Sequence, residues 1–190
     1  MDNRVGAAAT SAPVGVPAAL RKLYFVRFAF AAVWAGLLFA TADTLGPVSA
    51  TLLVIYPLFD VAAAVVDVRA ARANGGTAPA LIVNIVISSL AVIGLAVAAT
   101  SGIPAVLRVW GAWAVVSGIV QLVAGALRRK LGGQWPMIIS GAISTFAGTS
   151  FVMAAGSDDP TLGSLAGYAF LGGLFFLVSA LRLNRARRGA

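Results

Sequence analysis

RVWGAWAVVSGIVQLVAGALRRKLGGQWPMIISGAISTFAGTSFV, residues 108–152, decides the fold. Two apolar runs flank one short basic turn, Arg128-Arg129-Lys130-Leu131-Gly132-Gly133. A helix that crosses a bilayer needs about 20 mostly apolar residues, and each run is long enough. A short cationic loop between two such helices belongs on the cytoplasmic side. This stretch therefore predicts a hairpin of two transmembrane helices.

The same pattern extends outward in both directions. Spans are predicted at about 23–42, 46–66, 79–99, 104–127, 135–155 and 161–181. The fold class is all-α, a polytopic membrane protein of six transmembrane helices arranged as three repeated hairpins. Residues 1–20 are rich in Ala, Gly and Pro and read as a flexible tail. Residues 21–182 hold the six-helix domain, with a polar loop at 67–78. Residues 183–190 read as a basic cytoplasmic tail.

The chain's 190 residues are 60% hydrophobic and only 11% charged, with mean hydropathy +0.95. A soluble domain is nearer one quarter charged, so this chain lacks the polar surface to cover a water-soluble globule. The net charge of +8 points to loops beside anionic lipid rather than to nucleic acid. The partners implied are the bilayer, its anionic lipids at the basic loops, and a second copy or another membrane protein.

Topology follows from where the cations fall. Arg4, Arg21 and Lys22 precede the first span, and Arg69 and Arg72 follow the second. Arg128, Arg129 and Lys130 follow the fourth, and Arg182, Arg185, Arg187 and Arg188 follow the sixth. With six spans these all share one side. The opposite loops carry Asp43, Asp158 and Asp159 and no cation. Both termini are then expected in the cytoplasm.

An internal repeat supports the hairpin reading. Pro47, Pro104 and Pro160 recur at intervals of 57 and 56 residues, each shortly after a glycine: Gly36, Gly94 and Gly148. Proline near an outer loop can start a helix without losing a hydrogen bond. Arg69, Arg128 and Arg182 close the three units. Two spans per unit means parallel repeats, related by an axis along the membrane normal.

The fourth and fifth spans carry Trp110, Gly111, Trp113, Gly118 and Gln121, then Trp135, Pro136, Gly141, Ser144 and Gly148. In this pattern the chain resembles the HdeD-like membrane proteins, over about the last 85 residues. Gly167, Tyr168, Gly172 and Gly173 in the sixth span look similar too. The first hairpin departs from the pattern, placing Asp60 where the later units have Ser117 and Gly173. The resemblance implies a bacterial inner-membrane protein with a role in acid or general stress, and no established chemistry.

Composition also restricts mechanism. There is no Cys and no His, and all six acidic residues are Asp: Asp2, Asp43, Asp60, Asp67, Asp158 and Asp159. Thiol chemistry, thiolate metal sites, imidazole relays, haem ligation by His and most zinc sites are excluded. No Gly-rich phosphate loop occurs, and no nucleophile has a base beside it. No catalytic residue, metal site or cofactor is expected, and the chain does not read as an enzyme.

Polar residues inside spans are the informative ones, because lipid makes them costly. Arg27, Asp60, Asn84, Ser117, Gln121 and Ser140 all fall in the cytoplasmic half. Arg27, Asn84 and Ser140 precede Gly36, Gly94 and Gly148 by nearly equal steps, which puts them at similar depth. Two readings fit: an internal hydrogen-bond network that pins the bundle, or a vestibule open to the cytoplasm for an ion or small solute. The second would make the protein a small channel or carrier. Arg27 and Asp60 sit in one hairpin at depths differing by only ~3 Å at the helical rise, and an ion pair between them is expected. The rival arrangement sends Arg27 to the headgroups while Asp60 bonds Asn84 or Gln121. Ser140, Ser144 and Gly148, and likewise Gly163 and Gly167, form four-residue steps of small residues suited to close helix packing. Trp110, Trp113 and Trp135 are expected in the interfacial aromatic belt.

A reporter fused after Ala190 should behave as cytoplasmic, and one inserted between Ser157 and Asp158 as external. Opposite signals at these two sites would overturn the six-span topology.

Overall fold

The computed structural model describes residues 16–188 except 74, 76 and 128–134. The basic turn Arg128–Lys130, Arg4 and most of the expected N-terminal tail lie outside the described residues. So do the side chains of Pro136, Arg185, Arg187 and Arg188.

The described residues form six α-helices in order: α1 (Val16–Phe39), α2 (Pro47–Ala73), α3 (Pro79–Ala98), α4 (Ile103–Leu127), α5 (Trp135–Ala154) and α6 (Gly163–Arg188). All six contain a stretch long and apolar enough to cross a membrane. α2 runs on through residues expected in a polar loop, and α6 runs through those expected in the basic tail. Neither Asp67–Ala73 nor Arg182–Arg188 contains Gly or Pro, so nothing there breaks the backbone hydrogen-bond ladder. The breaks fall where the chain supplies them. Gly102 takes φ +103°, a conformation open to glycine, and Pro104 then sits in the first turn of α4.

The helices close into a ring in chain order, with α6 returning to α1. Contact around the ring is uneven. α4–α5, α1–α6 and α2–α3 pack most closely, whereas α1–α2 and α5–α6, each joined by a short loop, touch far less. The loop after α1 is bonded to the start of α6, where Leu162 N–H donates to Ala42 O at 3.0 Å.

The ring is apolar outside. Leu90, Ile93 and Val97 of α3 and Phe146 of α5 are among many large apolar side chains facing outward. Inside, the half near the Asp43 and Asp158 loops is filled by Trp34, Leu38, Leu53, Leu95, Leu107, Trp110 and Leu165, each 2% exposed or less. The rings of Trp34 and Trp110 stack 5.3 Å apart across the ring of helices. Tyr56 and Trp113 pack against Trp110 at 5.4 and 5.2 Å, which completes an aromatic layer.

Trp110 and Trp113 are therefore core residues and not part of an interfacial belt; only Trp135, 66% exposed, has the surface position expected of one. They lie within two to three turns of the start of α4, which made them look like span-end residues. Their azimuth points inward, on the same face as Ser117 and Gln121.

Small residues act at a spacing different from the one expected. A methyl group added at Gly111 would lie 2.5 Å from Gly148 O, and one at Gly118 would lie 2.7 Å from Gly141 O. Gly111 and Gly118 on α4, like Gly141 and Gly148 on α5, are seven residues apart, the repeat of helices crossing at a shallow left-handed angle. Removing the side chains lets two backbones touch, which is how helices adhere in lipid. Gly167, by contrast, is exposed with nothing within 4 Å, and near Gly163 the α1–α2 segment comes no closer than Ala42 at 3.9 Å. The close contact on α6 is Gly173 against Ala31 of α1. Ser140 and Ser144 face the interior rather than a partner backbone.

Gly118→Val and Gly148→Val should each lower stability by about 1–3 kcal/mol or more, because backbone atoms block the new side chain. Gly167→Ala should stay within about 0.5 kcal/mol of the parent. Thermal unfolding in detergent micelles measures both, and equal losses at the three sites would contradict the packing described.

Candidate functional site

Below the aromatic layer the interior turns polar. Asp60 projects from α2 into the ring, and donors from two other helices converge on it. Its Oδ1 accepts Arg27 Nη2 of α1 at 2.5 Å. Its Oδ2 accepts Asn84 Nδ2 at 2.7 Å and Ser88 Oγ at 2.9 Å, both from α3. Trp113 Nε1 of α4 donates to Ser88 Oγ at 3.2 Å and links the aromatic layer to the carboxylate. The Arg27 guanidinium lies 4.3 Å from the centre of the Phe176 ring of α6. Tyr168 of α6 donates to Ser144 of α5 at 2.9 Å.

The expected Arg27–Asp60 pair thus forms, and half of its rival forms with it. Asp60 bonds Asn84 as well as Arg27, while Gln121 takes no part. One carboxylate can accept about four hydrogen bonds, so the two arrangements do not compete.

Arg27 has a second carboxylate neighbour that the sequence reading placed in a loop. Its Nη1 lies 3.4 Å from Asp67 Oδ2, a longer contact. The side chains of Arg27, Asp60 and Asp67 are 12%, 18% and 13% exposed. Asp67 follows Asp60 by seven residues, two helical turns, so both share one face of α2 about 10 Å apart along its axis. Ser88 follows Asn84 by one turn and shares its face in the same way. Both residues could have been found by extending the helical period one step beyond the expected cluster.

Arg27, Asp60, Asn84, Ser117, Gln121 and Ser140 all line one cavity of about 320 Å³, to which all six helices contribute. Tyr24, Asp67, Ala80, Ala124, Met137 and Ser179 form its wider part, near the helix ends that carry the basic residues. A second, deeper cavity of about 130 Å³ shares Asp60, Asn84, Ser117, Gln121 and Ser140 and reaches Tyr56, Trp113 and Tyr168. Together they form a polar space that ends at the aromatic layer.

Three buried acceptor-bearing atoms in this lining have no hydrogen-bond partner among the described residues: Asp67 Oδ1, Ser117 Oγ and Gln121 Oε1. Buried polar atoms are nearly always bonded, so three such atoms around one cavity are an unusual concentration. Arg108, near the other end of α4, is exposed and forms no ion pair with Asp43, Asp158 or Asp159.

Compared with protein-family models, curated proteins and solved structures, the chain matches none. The likeness to HdeD-like proteins stands on the residues quoted for it and on nothing further.

Arg27→Ala and Asp60→Ala should each cost about 3–5 kcal/mol, because each strands a charge in a buried setting. The double variant should recover part of that loss. A double-mutant cycle by thermal unfolding reads the coupling; strictly additive losses would mean that the pair contributes nothing.

Proposed function

We propose that this protein is a non-enzymatic multi-pass membrane protein whose vestibule receives a small polar solute or ion from the cytoplasmic face. One observation carries this reading: a polar cavity built by all six helices ends at a layer of stacked aromatic rings. An open channel would need a polar path through that layer. A carrier, or a receptor for the solute, needs only a site reached from one side, with the layer as its closed end. In the membrane, polar and ionisable side chains that face an internal cavity are candidates for a solute path.

The orientation is part of the proposal. Arg21, Lys22, Arg69, Arg72 and Arg182 all lie toward the wide end of the cavity, which supports placing that end and both termini in the cytoplasm. A pseudo-threefold order of three hairpins is likewise proposed. The alternation of close pairs (α2–α3, α4–α5, α6–α1) with looser ones supports it. Residence in a bacterial inner membrane and a role in acid or general stress tolerance rest on the HdeD-like resemblance. Anionic lipid at the basic helix ends is the partner that the charge pattern favours.

The chain has no Cys, so single-cysteine variants report access without background. Ser140→Cys should react with a membrane-impermeant thiol reagent only from the side bearing the basic loops, and Ser157→Cys only from the other. Labelling of Ser140→Cys from the Ser157 side would overturn the proposal. So would labelling from neither side, if the same variant labels once unfolded.

A further inference from the structure

Among the described residues, the charged ones lining the larger cavity are Arg27, Asp60 and Asp67, two carboxylates facing one guanidinium. Within the same residues, α3, α4, α5 and α6 contribute neutral groups to that lining, among them Asn84, Gln121 and Ser179.

The charges are unequally engaged. Arg27 already meets Asp60, Asp67 and the face of Phe176. Asp60 is held by donors from α1 and α3. Asp67 has one contact at 3.4 Å, and its Oδ1 has no partner among the described residues. The other two unpartnered atoms, Ser117 Oγ and Gln121 Oε1, can both accept. The cavity thus offers a surplus negative charge and three unused acceptors. An anion would find Arg27, the one guanidinium that lines the cavity among the described residues, already occupied.

Aromatic side chains complete the lining. Tyr24, Phe175 and Phe176 border the wider part, and Trp113 the deeper one. Ring faces attract cations, most strongly where water is excluded. A compact ion that donates several hydrogen bonds answers all three features, whereas the described residues offer a metal ion no group of three or more carboxylates.

Building on the vestibule reading above, we propose that the cavity selects a small organic cation carrying a primary ammonium or guanidinium group, with Asp67, Gln121 and Ser117 as its acceptors. Asp60 is then a positioning residue that holds Arg27 aside, and Asp67 is the binding carboxylate. The basic helix ends at the mouth do not forbid entry. Anionic headgroups lie against them, and salt limits their reach to about 8 Å at physiological ionic strength.

Three planar probes of nearly equal shape separate charge from size: guanidinium, urea and nitrate. Each is titrated calorimetrically into the full chain in lipid nanodiscs at matched ionic strength. Guanidinium should give saturable binding and methylammonium should compete with it, while urea and nitrate give none. Asp67→Asn should weaken guanidinium binding at least about tenfold, since it removes the surplus charge and leaves Arg27 its bond to Asp60. Gln121→Leu, which keeps every charge, should weaken it less, and Asp43→Asn at the far end should leave it unchanged. Comparable binding of urea or nitrate, or unaltered affinity in Asp67→Asn, would overturn the cation assignment. If no probe binds while Ser140→Cys still labels from the basic side, the assignment falls and the vestibule reading stands; if the labelling fails too, both fall. Should Asp67→Asn not fold, the comparison of probe charges in the parent chain decides alone.

Discussion

The interior of this protein is arranged around the part-buried carboxylate of Asp60. Asp60 sits on a helix whose outward surface is apolar, inside a ring with no solvent along its sides. An ionised group at such depth costs roughly 2.5–3.5 kcal/mol on insertion scales. The cost is offset only if donors surround the carboxylate, and three do: Arg27, Asn84 and Ser88. Because these come from α1 and α3, satisfying one side chain fixes the rotation of two neighbouring helices. α1 and α2 touch little along their length, and an apolar groove lined by Val26, Val33, Leu52 and Ile55 runs between them. The ion pair joins them, together with the stacked rings of Phe30 and Phe59 and the bond that Trp34 Nε1 donates to Leu52 O.

Elsewhere the adhesion is steric. Hydrocarbon tails are as apolar as leucine, so burying leucine from lipid yields little, and backbone contact becomes the stronger attraction. The α4–α5 interface shows the result, with Gly111 against Gly148 and Gly118 against Gly141. Drawing these helices together also sets the position of what they carry inward: Trp110, Trp113, Ser117 and Gln121 from α4, Ser140 and Ser144 from α5. One surface of α4 thus adheres through glycine while another builds both the aromatic layer and the polar space below it.

The two halves of the interior follow from the size of their side chains. Trp34, Tyr56, Trp110 and Trp113 pack ring against ring across the middle of the ring of helices. Below them Ser117, Ser140 and Asn84 are too small to meet across the centre, and a cavity remains. A polar space closed at one end is the form that one-sided access requires.

Much of this was legible from the sequence because the bilayer is a severe solvent. Six continuous apolar runs of about 20 residues read as helices, since the other backbone solution in lipid, a closed barrel, uses shorter strands of alternating polarity. The same severity picked out Arg27, Asp60, Asn84, Ser117, Gln121 and Ser140, six polar residues on five different helices that line one cavity. Depth along each helix can be counted from the chain ends, so common depth was readable. Azimuth was not. Whether Trp110 faces lipid or the core, whether Gly167 or Gly148 meets a backbone, and whether Asp67 belongs to a loop or the polar site depend on how each helix is turned. That rotation is set by long-range contacts, by glycine against glycine and donor against carboxylate, and only the assembled ring brings those residues together.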